Sequence, residues 1–274
     1  KRVDYEYDLY SGKVLMVAYN RGYADQFYQK YTYDSDNRIV DVTTSNNGVY
    51  WDRDAHYQYY EHGPLARTEL GENRVQGVDY AYTINGWLKA INGVQNNALN
   101  DMGTDGGTGL VTPKDVFSQR IDYFAGDYKA IADSNTFREL PATPKNLYNG
   151  NIAAIATALA PFDNIYNKYH YDPLQRIDRA DYDSYTINNT TTPRSATTSL
   201  LAGYRSNYKY DADGNLLELN RKGGDVPASM NGGTAIANHL MDSLKYHYTT
   251  GTNRLKSLAD LSSSTAYKID IPQT

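Results

Sequence analysis

Tyr208-Lys209-Tyr210-Asp211-Ala212-Asp213-Gly214-Asn215-Leu216-Leu217-Glu218-Leu219-Asn220-Arg221 reads as a strand, a tight turn and a second strand. Tyr208 and Tyr210 are two residues apart, so in an extended chain both rings lie on one face. Asp211 offers its carboxylate to backbone N–H groups of the turn. Gly214 and Asn215 tolerate the positive φ that a three- to five-residue hairpin loop needs. Beyond the turn, Leu217 and Leu219 fall on one face and Glu218 and Asn220 on the other, the alternation of a half-buried strand. The unit is an amphipathic hairpin.

Outward from this stretch, the same pattern recurs. Tyr5-Glu6-Tyr7-Asp8 leads into Gly12, and Tyr31-Thr32-Tyr33-Asp34 leads into Asn37, the residue next best suited to a left-handed turn position. Tyr57-Gln58-Tyr59 loses the aspartate but keeps Gly63, and Tyr80-Ala81-Tyr82 precedes Asn85-Gly86, a strong hairpin signal. Tyr169-His170-Tyr171-Asp172 carries Pro173 just inside its turn, and Tyr246-His247-Tyr248 leads to Gly251. Starts at Tyr5, Tyr31, Tyr57 and Tyr80 give a period of about two dozen residues, the length of two strands, a turn and a connection. The second tyrosines, the aspartates and the turn Gly and Asn residues define the repeat structurally.

Between the copies the composition shifts. Residues 93–119, with Asn96-Asn97, Asn100-Asp101 and Asp105-Gly106-Gly107-Thr108-Gly109, read as an inserted flexible loop. Arg120 to Ile131 and Leu147 to Ile152 resume the strand-turn-strand pattern. Ile152 to Ala160 is alanine-rich and stopped by Pro161, which suits a short helix, but its place after Tyr148-Asn149-Gly150-Asn151 favours a returning strand. Residues 185–198, rich in Asn and Thr, and 223–233, rich in Gly, read as extended inter-repeat loops. The whole chain, 1–274, is therefore expected to be all-β: antiparallel hairpin repeats stacked as one segment of a single domain.

Composition agrees. Leu, Ile, Val and Phe make up only about 19% of the 274 residues, but 28 tyrosines supply the apolar area that aliphatic residues do not. A net charge of -5 with both signs interspersed offers no basic stripe for nucleic acid. With no cysteine, a disulfide framework, a Cys-ligated zinc site and a thiol nucleophile are excluded. No stretch reaches the ~18–20 apolar residues of a membrane helix. The chain opens at Lys1 directly into a strand pattern, so we expect it to be an excerpt of a longer protein.

Tyr-x-Tyr-Asp-x-x-Gly-Asn/Arg-Leu at such intervals resembles the YD repeat of RHS proteins, carried best by Tyr210 to Leu216, Tyr171 to Ile177 and Ile84 to Leu88. The likeness runs over nearly the whole chain. Gly126 to Ile131, followed by Leu147 to Ile152, is similar to stretches of RHS proteins of Bacteroidetes. The resemblance implies a β-ribbon spiralling into a hollow shell, as in the cocoon of ABC toxin complexes and the barrel of teneurins. It implies a secreted or cell-surface bacterial protein that encloses and carries a C-terminal toxin or effector. Its partners would be the remainder of its own shell, that effector, and secretion machinery or another protein chain. A teneurin-like adhesion or glycan-binding barrel without cargo is the alternative. The family's Asp-Pro-Leu/Ile-Gly cleavage motif is not carried over, because Asp172-Pro173-Leu174-Gln175 lacks the glycine and sits inside a repeat.

No residue set reads as catalytic, cofactor-binding or metal-binding, and no enzyme is expected. Asp101, Asp105 and Gly106 fall at positions one, five and six of an EF-hand loop, but Gly103 stands at position three and Thr112 at position twelve, so the loop reads as a plain insertion. Gly107-Thr108-Gly109 lacks the β-α setting of a phosphate cradle. His56, His62, His170, His239 and His247 show no metal spacing. Asp8, Asp34, Asp172 and Asp211 share one turn position, which structure explains without catalysis. The tyrosines are expected to pack across strands, not to bind glycans. The sequons at Asn188-Asn189-Thr190-Thr191 read as loop.

Overall fold

A computed structural model describes residues 1–96, 99–129, 146–188, 195–224 and 240–262, with the backbone alone over 195–203. Sixteen strands and no α-helix occur among the described residues. The chain divides into two compact units.

The first unit, chiefly Lys1–Arg120, holds β1 (Val3–Tyr7), β2 (Val14–Tyr19), β3 (Phe27–Tyr33), β4 (Ile39–Ser45), β5 (Asp52–Tyr59), β6 (Leu65–Leu70), β7 (Gln76–Tyr82), β8 (Leu88–Ile91) and most of β9 (Phe117–Asp122). The second, chiefly Phe162–Thr274 with Ile121–Lys129 and Arg138–Thr157, holds most of β10 (Ala154–Leu159), then β11 (Ile165–Tyr171), β12 (Ile177–Asn188), β13 (Ser195–Tyr210), β14 (Leu216–Lys222), β15 (Leu240–Tyr248) and β16 (Leu255–Asp260). Within each unit the strands pair in sequence order, an up-and-down meander. The arrangement follows from hairpin repetition, because each turn returns the chain beside the strand it has just left.

In every Tyr-x-Tyr hairpin the register shifts just before the second tyrosine, which then faces the first residue after the turn. The pairs are Tyr7 with Val14, Tyr33 with Ile39, Tyr59 with Leu65, Tyr82 with Leu88, Tyr171 with Ile177, Tyr210 with Leu216 and Tyr248 with Leu255. The recurring shift is a bulge, which inserts a residue and increases local right-handed twist. Between the bulges the strands alternate buried and open, as in β7 and β10.

Many of the buried strand positions are small. Ala18, Ala55, Ala81, Ala90, Ala156 and Ala180 are at most 6% exposed. Among the larger buried side chains are Val42, Ile121, Leu147, Ile187 and Leu244 together with Tyr28, Tyr123, Tyr166 and Tyr185, so aliphatic and tyrosine side chains share the core.

The Ile152 to Ala160 region is strand β10, as its position after the turn implies. Residues 185–198 differ from the expected loop. β12 runs to Asn188 and β13 starts at Ser195, with Tyr185 opposite Thr198 and Ile187 opposite Ala196. Tyr185 and Ile187 are buried while Thr186 and Asn188 are open, a period-two pattern that outweighs the loop-like Asn and Thr content. β9 begins at Phe117, inside the expected 93–119 insertion. Of 223–233, only Gly223 and Gly224 lie among the described residues.

Candidate functional site: a ladder of turns and an acidic cluster

Each turn is closed by the residue after the second tyrosine. Asp211 N–H donates to the Asn215 carbonyl (3.0 Å) and Gly214 N–H to the Asp211 carbonyl (3.2 Å). Asp34 repeats this with Arg38 and Asn37, and Asp172 with Arg176 and Gln175. The same backbone pair forms from Tyr60 with Pro64 and Gly63, from Thr83 with Trp87 and Gly86, and from Asp8 with Lys13 and Gly12. Thr249 makes it with Arg254 and Thr252. The backbone pattern therefore tolerates loss of the aspartate.

Where Asp is present, its carboxylate adds to the turn. Asp34 Oδ1 accepts from Asp36 and Arg38 N–H, and Asp172 Oδ1 from Leu174 and Arg176 N–H, all at 2.9 Å. Asp211 Oδ1 accepts from Asn215 N–H at 2.8 Å, and Asp8 Oδ2 from Ser11 N–H at 2.7 Å. Backbone N–H donation from Arg38 and Arg176, then their guanidinium groups, holds the Asp34 and Asp172 carboxyls below the usual carboxylate range. Bonds from the Asn215 side chain and backbone do the same for Asp211.

Positive φ occurs at Gly12 (69°), Asn37 (63°), Gly63 (115°), Gly86 (78°), Gly214 (91°) and Gly251 (75°), where a Cβ is strained and Gly or Asn is favoured. In the Tyr171 copy Gln175 takes this place at 65°. Its Oε1 accepts from the side chains of Asn149 (2.7 Å) and Asn151 (2.8 Å) in the turn before. Asn85 is an exposed turn residue.

The sequence did not disclose how one hairpin is fastened to the next. The second tyrosine reaches back: Tyr33 Oη donates to the Val14 carbonyl, Tyr59 to Ile39, Tyr171 to Ile152, Tyr210 to Ile177 and Tyr248 to Leu216, at 2.7 to 3.0 Å. Each acceptor except Ile152 is the first strand residue after the previous copy's turn. The turn arginine reaches forward. Arg38 lies 4.5 Å from the Tyr59 ring centroid and donates to the Gly63 carbonyl at 3.3 Å. Arg176 lies 4.7 Å from the Tyr210 centroid and donates to the Asp211 carbonyl at 2.8 Å. Asn215 continues the series to Asn253 at 3.0 Å. Tyr7 and Tyr82 occupy the same bulge position in their own copies. Tyr59 and Tyr210 thus pair with guanidinium groups, while Tyr5 stacks on Tyr7 at 6.2 Å and Tyr60 meets Tyr82 edge-on at 6.4 Å.

The second arrangement lies in the first unit, where 99–115 covers β6 and β7. Arg67 and Asp79 face each other across these strands, 2.5 Å apart from Nη1 to Oδ2. Arg67 Nη2 reaches Asp105 Oδ1 at 2.7 Å, and its Nε reaches Glu69 at 3.3 Å. Asp105 N–H donates to Asp101 Oδ1 at 3.3 Å, and Gln76 Nε2 to Asp115 Oδ1 at 2.5 Å. Asp79, Asp101, Asp105 and Asp115 are 2–7% exposed. A Cβ on Gly77 would collide with Asp105 and Arg67, and one on Gly103 with Arg67 and Asp79, so both glycines are needed for this approach. A cavity of about 420 Å³ borders the cluster, lined by Arg67, Asp79, Gly103, Asp105 and Thr112 among others.

Burial dominates the electrostatics. It pushes the Asp79 carboxyl up to about 6 despite Arg67, and raises Asp105. Burial followed by the facing Asp101 raises Asp115 to about 9. Burial alone would lower Arg67, but its bonds to Asp105 and Asp79 raise it overall. Of the EF-hand positions considered from sequence, Asp101 and Asp105 do converge, together with Asp79 of β7. Their separations along the chain hide this grouping, and no local signal reveals it.

The histidines stay apart. His56 Nδ1 lies 2.7 Å from Asp41, and His170 Nε2 lies 3.0 Å from Asp181 and 2.9 Å from Arg179. His239 lies outside the described residues. No helix among the described residues is long and apolar enough to cross a membrane.

No protein-family model matches the chain. No curated protein matches it either. Among solved structures, it is similar to a chain of the TcdB2–TccC3–Cdc42 crystal structure, at TM-score 0.51 and 15% identity over 94% of this chain and 10% of that one. The Tc holotoxin pore of Photorhabdus luminescens with a TccC3 variant gives TM-score 0.44 and 14% identity over 94% of this chain and 12% of that one. The chain thus spans about a tenth of the length of the solved chains it matches. At this identity the first likeness shows a shared fold.

Proposed function

We propose that this chain is a non-catalytic wall segment of an RHS-type β shell, in a secreted or surface-exposed bacterial protein, and that the shell encloses a C-terminal effector. The observation that carries this reading is the ladder of turns. The ring, guanidinium and carbonyl contacts of the ladder join one hairpin to the next, so the array extends by adding copies. A bulge at every Tyr-x-Tyr hairpin adds twist of one hand, and a long ribbon with such twist coils. Coiling also removes the open edges that would otherwise invite aggregation.

The fold shared with part of a chain of the TcdB2–TccC3–Cdc42 structure supports the reading of the chain as a stretch of a longer β wall. The mechanism is mechanical: a polar, hydrogen-bonded wall excludes proteases and solvent components from what it surrounds. Limited proteolysis of the full-length protein tests it. Its C-terminal region should resist cleavage while the shell is intact and become sensitive once mild denaturant opens the wall. Equal cleavage before and after opening would rule out enclosure.

A further inference from the structure

We propose that Asp79, Asp101 and Asp105 form a site for one hard divalent cation of the calcium type, which fastens the inserted segment 99–115 to β7. This is independent of the shell reading. Calcium takes six to eight oxygen ligands at ~2.3–2.6 Å, so oxygens on opposite sides of one ion stand about 4.6–5.2 Å apart. One carboxylate oxygen each from Asp79, Asp101 and Asp105 lies within 4.8 Å of the others, which one ion can span.

Two further observations point to a ligand. Asp105 is 2% exposed, and its Oδ2 atom has no hydrogen-bond partner, although its Oδ1 is held by Arg67. Acceptors buried this deeply are costly to leave unmet. Charge gives the second. The cluster and its rim set four carboxylates (Asp79, Asp101, Asp105 and Glu69) against two guanidiniums (Arg67 and Arg74), so their ionisation leaves two negative charges. Arg67 faces Asp79 and Asp105, while Asp101 and Asp115 have no basic partner among the ion pairs of the described residues. A divalent ion supplies the missing positive charge at the Asp101 side. The ligand set is all oxygen, with no imidazole or thiolate, which suits calcium over zinc or copper.

Equilibrium dialysis of the full-length protein with radioactive calcium at neutral pH tests the proposal. The wild type should retain one ion per chain more than the Asp101→Asn/Asp105→Asn variant, and equal retention by two folded proteins would overturn it. If the variant does not fold, hydrogen exchange of the wild type decides. Amides of 99–115 should exchange about tenfold more slowly with calcium than with chelator. Unchanged exchange there would overturn the site.

Discussion

Arg176 lies over Tyr210, with the guanidinium carbon 4.7 Å from the ring centroid, and so joins the turn of one hairpin to the strand of the next. The same arginine closes its own turn through Asp172 at 2.7 Å and donates to the Asp211 carbonyl at 2.8 Å. One side chain thereby couples two repeats. The Arg176→Met and Tyr210→Leu changes should therefore be non-additive. A double-mutant cycle on local opening free energies from hydrogen exchange should give a coupling of about 0.5–1 kcal/mol. A coupling near zero would make the stacking incidental.

Removing only the hydroxyl isolates the backward link. Tyr210→Phe deletes the bond to the Ile177 carbonyl and keeps the ring under Arg176. The expected loss is about 1 kcal/mol of local stability, read as faster exchange across β12 to β14 and little change in β1 to β4. Tyr171→Phe, which releases the Ile152 carbonyl, should behave alike around β10 and β11.

At the turns, aspartate acts as an acceptor of hydrogen bonds. Asp172→Asn keeps a side-chain oxygen for Leu174 and Arg176 N–H, whereas Asp172→Ala keeps none. Thermal stability should fall in the order wild type, Asn, Ala. An Asn variant as damaged as the Ala variant would show that charge, not turn closure, is what Asp172 contributes.

The turn carboxylates also set an acid limit. The folded-state pKa values of Asp34, Asp172 and Asp211 lie below 3.8, so their contribution is fully present above the unfolded value and is lost as pH falls through the folded ones. Melting temperature should decline from about pH 4 downward. The decline should be shallower in an Asp34→Asn/Asp172→Asn variant, and an identical slope would assign acid sensitivity elsewhere.

The hairpins were legible because their signals are local. A tyrosine pair, a turn acceptor and a left-handed residue all fall within ten residues, and the period then repeats them. The fastening between hairpins was hidden. Arg176 and Asp211 are 35 residues apart, and Arg67 and Asp105 are 38, so only the register of the folded sheet brings them together. At 185–198 the loop-like Asn and Thr content hid a strand whose alternation, Tyr185 and Ile187 against Thr186 and Asn188, was already written in the chain. Cross-strand pairing decided that segment, since strand propensity depends on context.

The account of a shell also makes a claim about residues 1–274 alone. Among the described residues β1 and β16 pair on one side only, and Val3, Tyr5 and Tyr7 on β1 are about half exposed. Expressed without flanking sequence, the chain should aggregate or stay partly unfolded through these edges. A monodisperse, cooperatively melting monomer in ultracentrifugation would contradict that expectation.

Cryo-electron microscopy of the full-length protein tests the central claim most directly. The account predicts a closed β wall in which residues 1–274 form consecutive hairpins, with density for the C-terminal region inside. A ribbon or barrel with an empty interior, or a C-terminal region lying outside the wall, would contradict it.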